Sequence, residues 1–158
     1  MSDRIFVMGA GRAGLGLARA LRASGVEVVG LHGRAGGGGA ALASPEDRVS
    51  TGSIPRDVLR RATVVLVTVR DAQMDDALRE VASAAPSEET IILHASSSAE
   101  PAALAELRAG GWSCGTFHPL VPLSDPARAP AMLSGSWIGI DGDPPACERG
   151  AALAARLG

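Results

Sequence analysis

The chain has 158 residues, of which 46% are hydrophobic and 20% charged, and its net charge at pH 7 is −2. This length and apolar content predict one globular domain with a buried core and exclude an intrinsically disordered chain. All 15 basic residues are arginine, they are outnumbered by 17 acidic ones, and only 3% of residues are aromatic. The sequence therefore lacks the basic field and the stacking side chains typical of nucleic-acid-binding proteins.

The composition also bears on the compartment. No run of about 18 apolar residues is present, so we expect no membrane-spanning segment. The N-terminus leads directly into a short apolar run and has no pattern of a cleavable signal peptide. Cys114 and Cys147 are too few for a disulfide framework. We therefore expect a cytoplasmic protein.

Short apolar runs alternate with segments of helical spacing along the whole chain. The apolar runs predict strands at residues 5–8, 26–31, 48–51, 63–69, 90–94, 112–117 and 136–140. Helical spacing predicts helices after residue 14, at 55–62, from an N-cap at Asp71 through Val81, at 100–109 and at 144–158. Glycines 36–39 predict a flexible loop where a doubly wound fold usually has a helix. The pattern predicts an open α/β fold, with a doubly wound, mostly parallel sheet in a three-layer α/β/α arrangement.

The final helix, at residues 144–158, has two interpretations. It either closes a small domain or leads into a second domain that this chain lacks. We favour the second interpretation, with one α/β domain at residues 1–143 and a helix at 144–158 that ends without tertiary contacts.

A glycine-rich turn follows the first predicted strand. The segment Gly9-Ala10-Gly11-Arg12-Ala13-Gly14 matches G-x-G-x-x-G and opens a predicted helix. In this pattern Gly9 permits a tight turn, Gly11 lets the backbone approach a pyrophosphate, and Gly14 lets the helix pack close to the strand. The strand–turn–helix–strand context predicts a dinucleotide site at the positive end of the helix. The alternative is that the glycines serve packing alone, on a domain that binds nothing.

The end of the second predicted strand bears on the choice of dinucleotide. NAD-preferring domains usually place Asp or Glu there, about 20 residues past the glycine turn, to bind the ribose 2′-hydroxyl. The segment Leu31-His32-Gly33-Arg34 has no carboxylate, and Arg34 can bind a 2′-phosphate through two hydrogen bonds. We therefore favour NADP over NAD, with Gly33, Arg34 and Arg12 at the cofactor. An exposed arginine beside a flexible loop is the alternative.

Polar side chains follow the later strands, where an open parallel sheet binds its ligands. Val69 and His94 are candidate cofactor contacts, and Ser96 and Ser97 are candidates to bind the substrate or the nicotinamide ribose. His118 is a candidate general base or hydrogen-bond partner to a substrate hydroxyl. The alternative is that the serines cap a helix and that His118 satisfies a turn.

Other chemistries find little support in the sequence. The three histidines are widely spaced and no C-x-x-C pair exists, so we expect no metal site. The pattern G-x-S-x-G occurs at Gly111–Gly115, but it leads from a predicted helix into a predicted strand. This is the reverse of the strand-to-helix order of a nucleophile elbow, which argues against a serine hydrolase. Cys114 lies in an apolar strand, where we expect it to be buried rather than reactive.

Several segments together resemble one known family. They are G-A-G-R-A-G-L-G-L-A-R-A-L from Gly9, the pair Gly33-Arg34, I-L-H-A-S-S-S ending at Ser98, and T-F-H-P-L around His118. These segments look like those of Rossmann-like NADP-binding proteins with a C-terminal domain of unknown function, within the 6-phosphogluconate dehydrogenase-like superfamily. The pair His118-Pro119 is also similar to the His-Pro of prephenate dehydrogenases, in which the histidine assists hydride transfer from a ring alcohol.

The resemblance implies NADP binding and a helical C-terminal domain that completes the cleft and often forms a homodimer. This sequence stops where that domain would begin, so the resemblance implies a truncated form. Relatives have Ser-Gly where this chain has Ser96-Ser97, and Pro where it has Arg70. No catalytic lysine can be carried over, because the chain contains no lysine.

Two functions lead at this point, ahead of a structural scaffold that binds no nucleotide. The first is an NADP-dependent oxidoreductase domain that acts on an unidentified small molecule, with neither a nucleic acid nor a membrane as partner. The second is a dinucleotide-binding or interaction module without chemistry of its own.

Overall fold

Seven strands form one sheet in the computed structural model, which describes residues 2–98 and 100–158. The strands are β1 (Arg4–Met8), β2 (Glu27–His32), β3 (Val49–Ser50), β4 (Val64–Val67), β5 (Ile91–His94), β6 (Cys114–Pro119) and β7 (Ile138–Gly142). Their order in the sheet is β3-β2-β1-β4-β5-β6-β7. Strands β1 to β6 pair in parallel, and β7 pairs with β6 in the antiparallel direction. The order reverses between β1 and β4, the switch point at which open α/β sheets bind ligands.

Helices cover both faces of this sheet. The helices of the described residues are α1 (Arg12–Ala23), α2 (Arg56–Leu59), α3 (Met74–Ser83), α4 (Ala103–Ala109), α5 (Ala129–Leu133) and α6 (Pro144–Leu157). Two 3₁₀ turns span Pro45–Asp47 and Asp71–Gln73. The predicted doubly wound α/β fold is therefore confirmed. Helix α5 was not predicted, because five residues with a proline in the first turn give no helical periodicity.

The strands sort their side chains onto the two faces by simple alternation. Along β1, Ile5 and Val7 pack with α1, α5 and α6, whereas Phe6 and Met8 pack with α3 and α4. All four residues of β4 are fully buried. A strand buried on both faces reads as a continuous apolar run, which is why β4 is so clear in the sequence.

Helix α6 belongs to the same core. Ala146, Gly150, Leu153 and Leu157 are buried, and a Cβ on Gly150 would lie 3.1 Å from the Ile140 side chain. The expectation that this helix ends without tertiary contacts is therefore wrong. Its sequence was misleading because two of these four buried residues, Ala146 and Gly150, are small. Whether it also leads into a further domain stays a prediction.

The connection from β2 to β3 contains turns in place of a helix, as the four glycines predicted. Hydrogen bonds join the C-terminal part of this connection to α1. Arg19 donates to Asp47 from Nε at 3.1 Å and from Nη2 at 2.7 Å, and it also donates to the Leu42 carbonyl. These bonds lower the pKa of Asp47 to about 2. The predicted third strand near residues 48–51 is present as the two-residue β3. Within the described residues, no helix is long and apolar enough to cross a bilayer.

Candidate functional site

The three glycines of the turn between β1 and α1 differ in the space that the structure leaves for a Cβ. Gly9 has φ +117°, and a Cβ on it would lie 2.8 Å from the Thr68 hydroxyl. A Cβ on Gly14 would lie 1.7 Å from the Gly9 carbonyl oxygen. Gly11 has extended backbone, and a Cβ there would meet nothing within 4 Å. The fold therefore requires Gly9 and Gly14, whereas the space beside Gly11 is open.

The open space lies at the N-terminus of α1. Gly11 is the N-cap residue, no side chain caps the helix, and its first turn contains no acidic residue. The N–H groups of Arg12, Ala13 and Gly14 have no intrahelical acceptor, because no preceding turn exists. The exposed Arg12 follows Gly11 directly. This end of the helix is therefore suited to an anion such as a diphosphate.

A residue that the sequence analysis missed supports the glycine turn from β4. The Thr68 hydroxyl donates to the Gly9 carbonyl at 2.8 Å, and the Thr68 N–H donates to the Met8 carbonyl at 2.8 Å. Val69 is half-buried beside the same turn, and a Cβ on Gly9 would lie 3.0 Å from its nitrogen. A small hydroxyl residue at the end of the strand next to β1 is the signal that could have revealed Thr68.

The end of β2 brings Gly33 and Arg34 to the same edge. A Cβ on Gly33 would lie 2.7 Å from the Ala10 Cβ, so the chain after β2 touches the glycine turn. Arg34 is exposed, and within residues 2–98 and 100–158 it forms no salt bridge. His32 occupies the end of the strand, where it is buried, stacks on Phe6 and hydrogen-bonds the Ser50 hydroxyl at 2.9 Å.

A groove of about 230 Å³ lies between the N-terminus of α1 and the ends of β5 and β6. Its lining residues are Arg12, Ala13, Leu17, Ala95, His118, Pro119, Val121 and Leu123. We call it the His118 groove. His118 Nδ1 lies 2.7 Å from the Ala95 carbonyl oxygen. Because a carbonyl only accepts, Nδ1 carries the proton and Nε2 keeps its lone pair.

The serines after β5 bind Asp71 and do not cap α4. Ser96 donates to Asp71 Oδ1 at 2.6 Å, and Ser98 donates to Asp71 Oδ2 at 2.5 Å. These bonds lower the pKa of Asp71, the Ser96 bond most. Ser97 is exposed. The prediction that Asp71 caps the next helix is wrong, since its carboxylate turns to the serines and α3 begins later, at Met74.

Helix α4 begins at Ala103, later than predicted, and its first N–H donates to Asp75 Oδ1 at 2.7 Å. The alternative interpretation of the serines as caps is therefore wrong as well. The cap comes from α3, and no local pattern in the sequence indicates this contact.

His94 lies at the end of β5 but below the surface. Its ring is 1% exposed, and Nε2 lies 3.1 Å from the Thr116 hydroxyl. Nδ1 has no hydrogen-bond partner among the described residues. Burial lowers the pKa of His94. The structure thus places His94 behind the carboxyl edge, with no ring atom available to a ligand in this conformation.

No cluster of three metal-ligating side chains exists in the part of the chain that the structure describes. Burial raises the pKa of the Cys114 thiol to about 11, which makes it a poor nucleophile. Of the predicted site residues, Gly33 and Val69 lie against the glycine turn, and Arg34 is next in the chain to Gly33. His118 faces Arg12 and Ala13 across the His118 groove, which neither Ser96 nor Ser97 lines.

Comparison with solved structures gives similar folds in several dehydrogenases and reductases. A prephenate dehydrogenase from Aquifex aeolicus has a TM-score of 0.74 at 15% identity, covering 100% of this chain and 59% of that one. A 3-hydroxyisobutyrate dehydrogenase from Mycobacterium tuberculosis, solved with L-serine, has a TM-score of 0.74 at 17% identity. The match covers 99% of this chain and 52% of that one. An imine reductase variant from Myxococcus stipitatus, in complex with NAD⁺, has a TM-score of 0.69 at 21% identity and covers 100% and 53%.

At identities of 15–21%, these TM-scores establish a shared fold alone. The chain spans a little over half the length of each of the three structures. A search among curated proteins gave no significant match. The family model described as the Rossmann-like domain matches residues 3–119, about three-quarters of the chain. Together with the strand order and the glycine turn, this match shows that the chain belongs to the Rossmann-like domain family.

Proposed function

We propose that the chain is the NADP(H)-binding domain of an oxidoreductase that transfers hydride to or from a small substrate. The observation that carries the proposal is the open position at Gly11. The fold explains the other two glycines, but a Cβ at Gly11 would have no neighbouring atom within 4 Å. A glycine that packing does not require, at an uncapped helix N-terminus, supports a ligand whose phosphates approach the backbone there.

The residues present fit a nicotinamide dinucleotide. The N–H groups of Arg12 and Ala13 would hold the diphosphate, with Thr68 supporting the turn from below. The nicotinamide half would extend toward the His118 groove, since β4, β5 and β6 follow the switch point on that side. When bound, the cofactor supplies or accepts the hydride.

The preference for NADP rests on the residues after β2. Arg34 is exposed and follows Gly33, which packs against Ala10, and the segment 31–34 has no carboxylate to repel a 2′-phosphate. An arginine fork can make two charge-assisted hydrogen bonds to such a phosphate. Arg12 adds a second positive charge near the same end of the helix.

His118 is the group we propose for proton transfer. Its Nδ1–H is held by the Ala95 carbonyl, so Nε2 is the atom that accepts a proton from a substrate hydroxyl or amine. The groove around it is lined mainly by apolar side chains, which favour a compact substrate with few polar groups. Of the two serines predicted to bind a ligand, Ser97 is exposed, whereas the Ser96 hydroxyl already donates to Asp71.

The test of this function is a titration of the wild-type chain and Arg34→Ala with NADPH and NADH. We expect Arg34→Ala to bind NADPH roughly tenfold or more weakly, the loss of one charge-assisted contact, and NADH nearly as before. Arg60→Ala is the matched control, because Arg60 is exposed and precedes β4 at the opposite edge of the sheet. An equal loss for both coenzymes would contradict the 2′-phosphate role, and no binding of either would contradict the proposal itself.

The second candidate function is a dinucleotide-binding module without chemistry. It is favoured by the engagement of the Ser96 hydroxyl, which leaves few free catalytic groups at the edge. The two functions are separated by measuring turnover and coenzyme affinity of His118→Asn, in a form of the protein that is active on a substrate. Lower turnover with unchanged coenzyme affinity supports the oxidoreductase, and unchanged turnover removes His118 from the chemistry.

A further inference from the structure

Asp71 joins two loops at the carboxyl edge of the sheet. It follows β4 and accepts hydrogen bonds from two hydroxyls of the loop after β5, Ser96 on Oδ1 and Ser98 on Oδ2. The carboxylate is not needed as a helix cap, since α3 begins at Met74 without a side-chain cap. The two bonds to Asp71 therefore neither cap α3 nor belong to a predicted cofactor contact.

The serine hydroxyls also shape the loop that carries them. Ser96 Oγ accepts the Ser98 N–H at 3.1 Å, which closes a small turn. Ala95, the residue before this turn, donates its N–H to the Val67 carbonyl at 2.9 Å. Its own carbonyl oxygen accepts the Nδ1–H of His118 at 2.7 Å. One peptide group, between Ala95 and Ser96, therefore lies between the Asp71 bonds and the His118 ring.

We infer that Asp71 is a positioning residue, which fixes the turn at residues 95–98 and thereby the tautomer and orientation of the His118 ring. The direction of a carbonyl is set by the plane of its peptide group, and the Ser96 side chain holds this plane from one side. A turn that could rotate would lose the His118 Nδ1–H bond, and the proton would then redistribute between the two ring nitrogens. The catalytic importance of the tautomer rests on the proposed function, but the structural coupling does not.

A different explanation must be distinguished from this one. The charge of a protonated His118 also lowers the pKa of Asp71, although less than the bonds from Ser96 and Ser98 do. Asp71 could then influence the ring by charge alone, without the serines. A variant that removes the two hydroxyls but keeps the carboxylate separates the mechanisms.

The experiment is a ¹⁵N spectrum of the histidine rings in the chain without coenzyme, at mildly alkaline pH. The chain has only 3 histidines, and the spectrum of His118→Gln assigns the His118 signals. We expect the wild type to show the Nδ1–H form. We expect Asp71→Ala and the double variant Ser96→Ala/Ser98→Ala each to shift the ratio of the two His118 tautomers roughly fivefold toward the Nε2–H form. A change of this size corresponds to the loss of one ordinary hydrogen bond.

Asp76→Ala is the matched control, since Asp76 is an exposed carboxylate on α3 whose salt bridge, to Arg79, is a long one at 4.0 Å. It should leave the His118 signals unchanged. An unchanged tautomer in Asp71→Ala would overturn the inference. A shift in Asp71→Ala without one in the serine variant would overturn it too, in favour of charge acting at a distance. Because the spectrum needs no coenzyme, its result is independent of whether NADPH binds.

Discussion

The substitution Gly11→Asp separates the needs of the fold from those of a ligand. Gly11 is the N-cap of α1 with φ −80° and ψ −169°, a conformation open to any residue. Aspartate is a preferred N-cap, and its charge is favourable at the positive end of the helix. A Cβ meets nothing within 4 Å, so no packing is lost. We expect the free energy of unfolding to rise by about 0.5 kcal/mol, or the melting temperature by roughly 1–2 °C.

The same substitution should remove dinucleotide binding. A carboxylate about 4 Å from a phosphate charge costs about 4 kcal/mol at the effective dielectric constant typical of a protein surface. This free energy corresponds to a roughly thousandfold loss of affinity, because each 1.4 kcal/mol is about a factor of ten. The carboxylate would also compete for the N–H groups that the diphosphate needs.

The assay pairs thermal unfolding with a calorimetric titration of NADPH. Ser87→Asp is the charge control, because Ser87 is exposed and precedes β5, at the opposite edge of the sheet from the glycine turn. It should bind NADPH like the wild type. Wild-type affinity in Gly11→Asp would refute the phosphate role of the turn. A large fall in stability would show that Gly11 serves the fold, contrary to the open space around it.

Three further predictions concern stability. Gly14→Ala should be strongly destabilising in urea unfolding, because its Cβ would lie 1.7 Å from the Gly9 carbonyl, and stability equal to wild type would contradict the tight turn. Asp47→Asn should lower the free energy of unfolding by about 2 kcal/mol at neutral pH, since the Arg19 bonds stabilise only the ionised carboxylate. This stabilisation is present above the unfolded pKa of 3.8 and lost toward pH 2, so the variant and the wild type should converge in acid. Burial lowers the pKa of His94 from 6.5, so stability should decline below that pH, and His94→Gln should flatten the decline in the same titration.

Local patterns in the sequence were enough to predict the seven strands in their order along the chain. The apolar run of β4 and the glycine turn after β1 are contiguous signals, and both lie where they were predicted. The predicted ends were less accurate, since strand 63–69 shortens to Val64–Val67. Thr68 and Val69 lie just beyond the strand, where the Thr68 hydroxyl donates to the Gly9 carbonyl of the glycine turn. The interior of the fold was therefore easier to predict than its carboxyl edge.

The side-chain contacts of the site are long-range and could not be predicted from the sequence. Asp71 and Ser96 are 25 residues apart, and His118 meets the Ala95 carbonyl across 23 residues. Aspartate and serine are common N-cap residues. An aspartate or a serine directly before a helical pattern therefore predicts a cap for that helix. Only the parallel register of β4, β5 and β6 brings these ends together. The same register explains why His94, although at a strand end, is covered.

The central claim is that the chain binds a nicotinamide dinucleotide at the glycine turn. The most direct measurement is a calorimetric titration of the wild-type chain with NADPH and, in parallel, with NADH. The account predicts saturable binding of one coenzyme per chain, tighter for NADPH, with binding lost in Gly11→Asp. Failure of both coenzymes to bind a folded chain, or equal binding by Gly11→Asp, would contradict it.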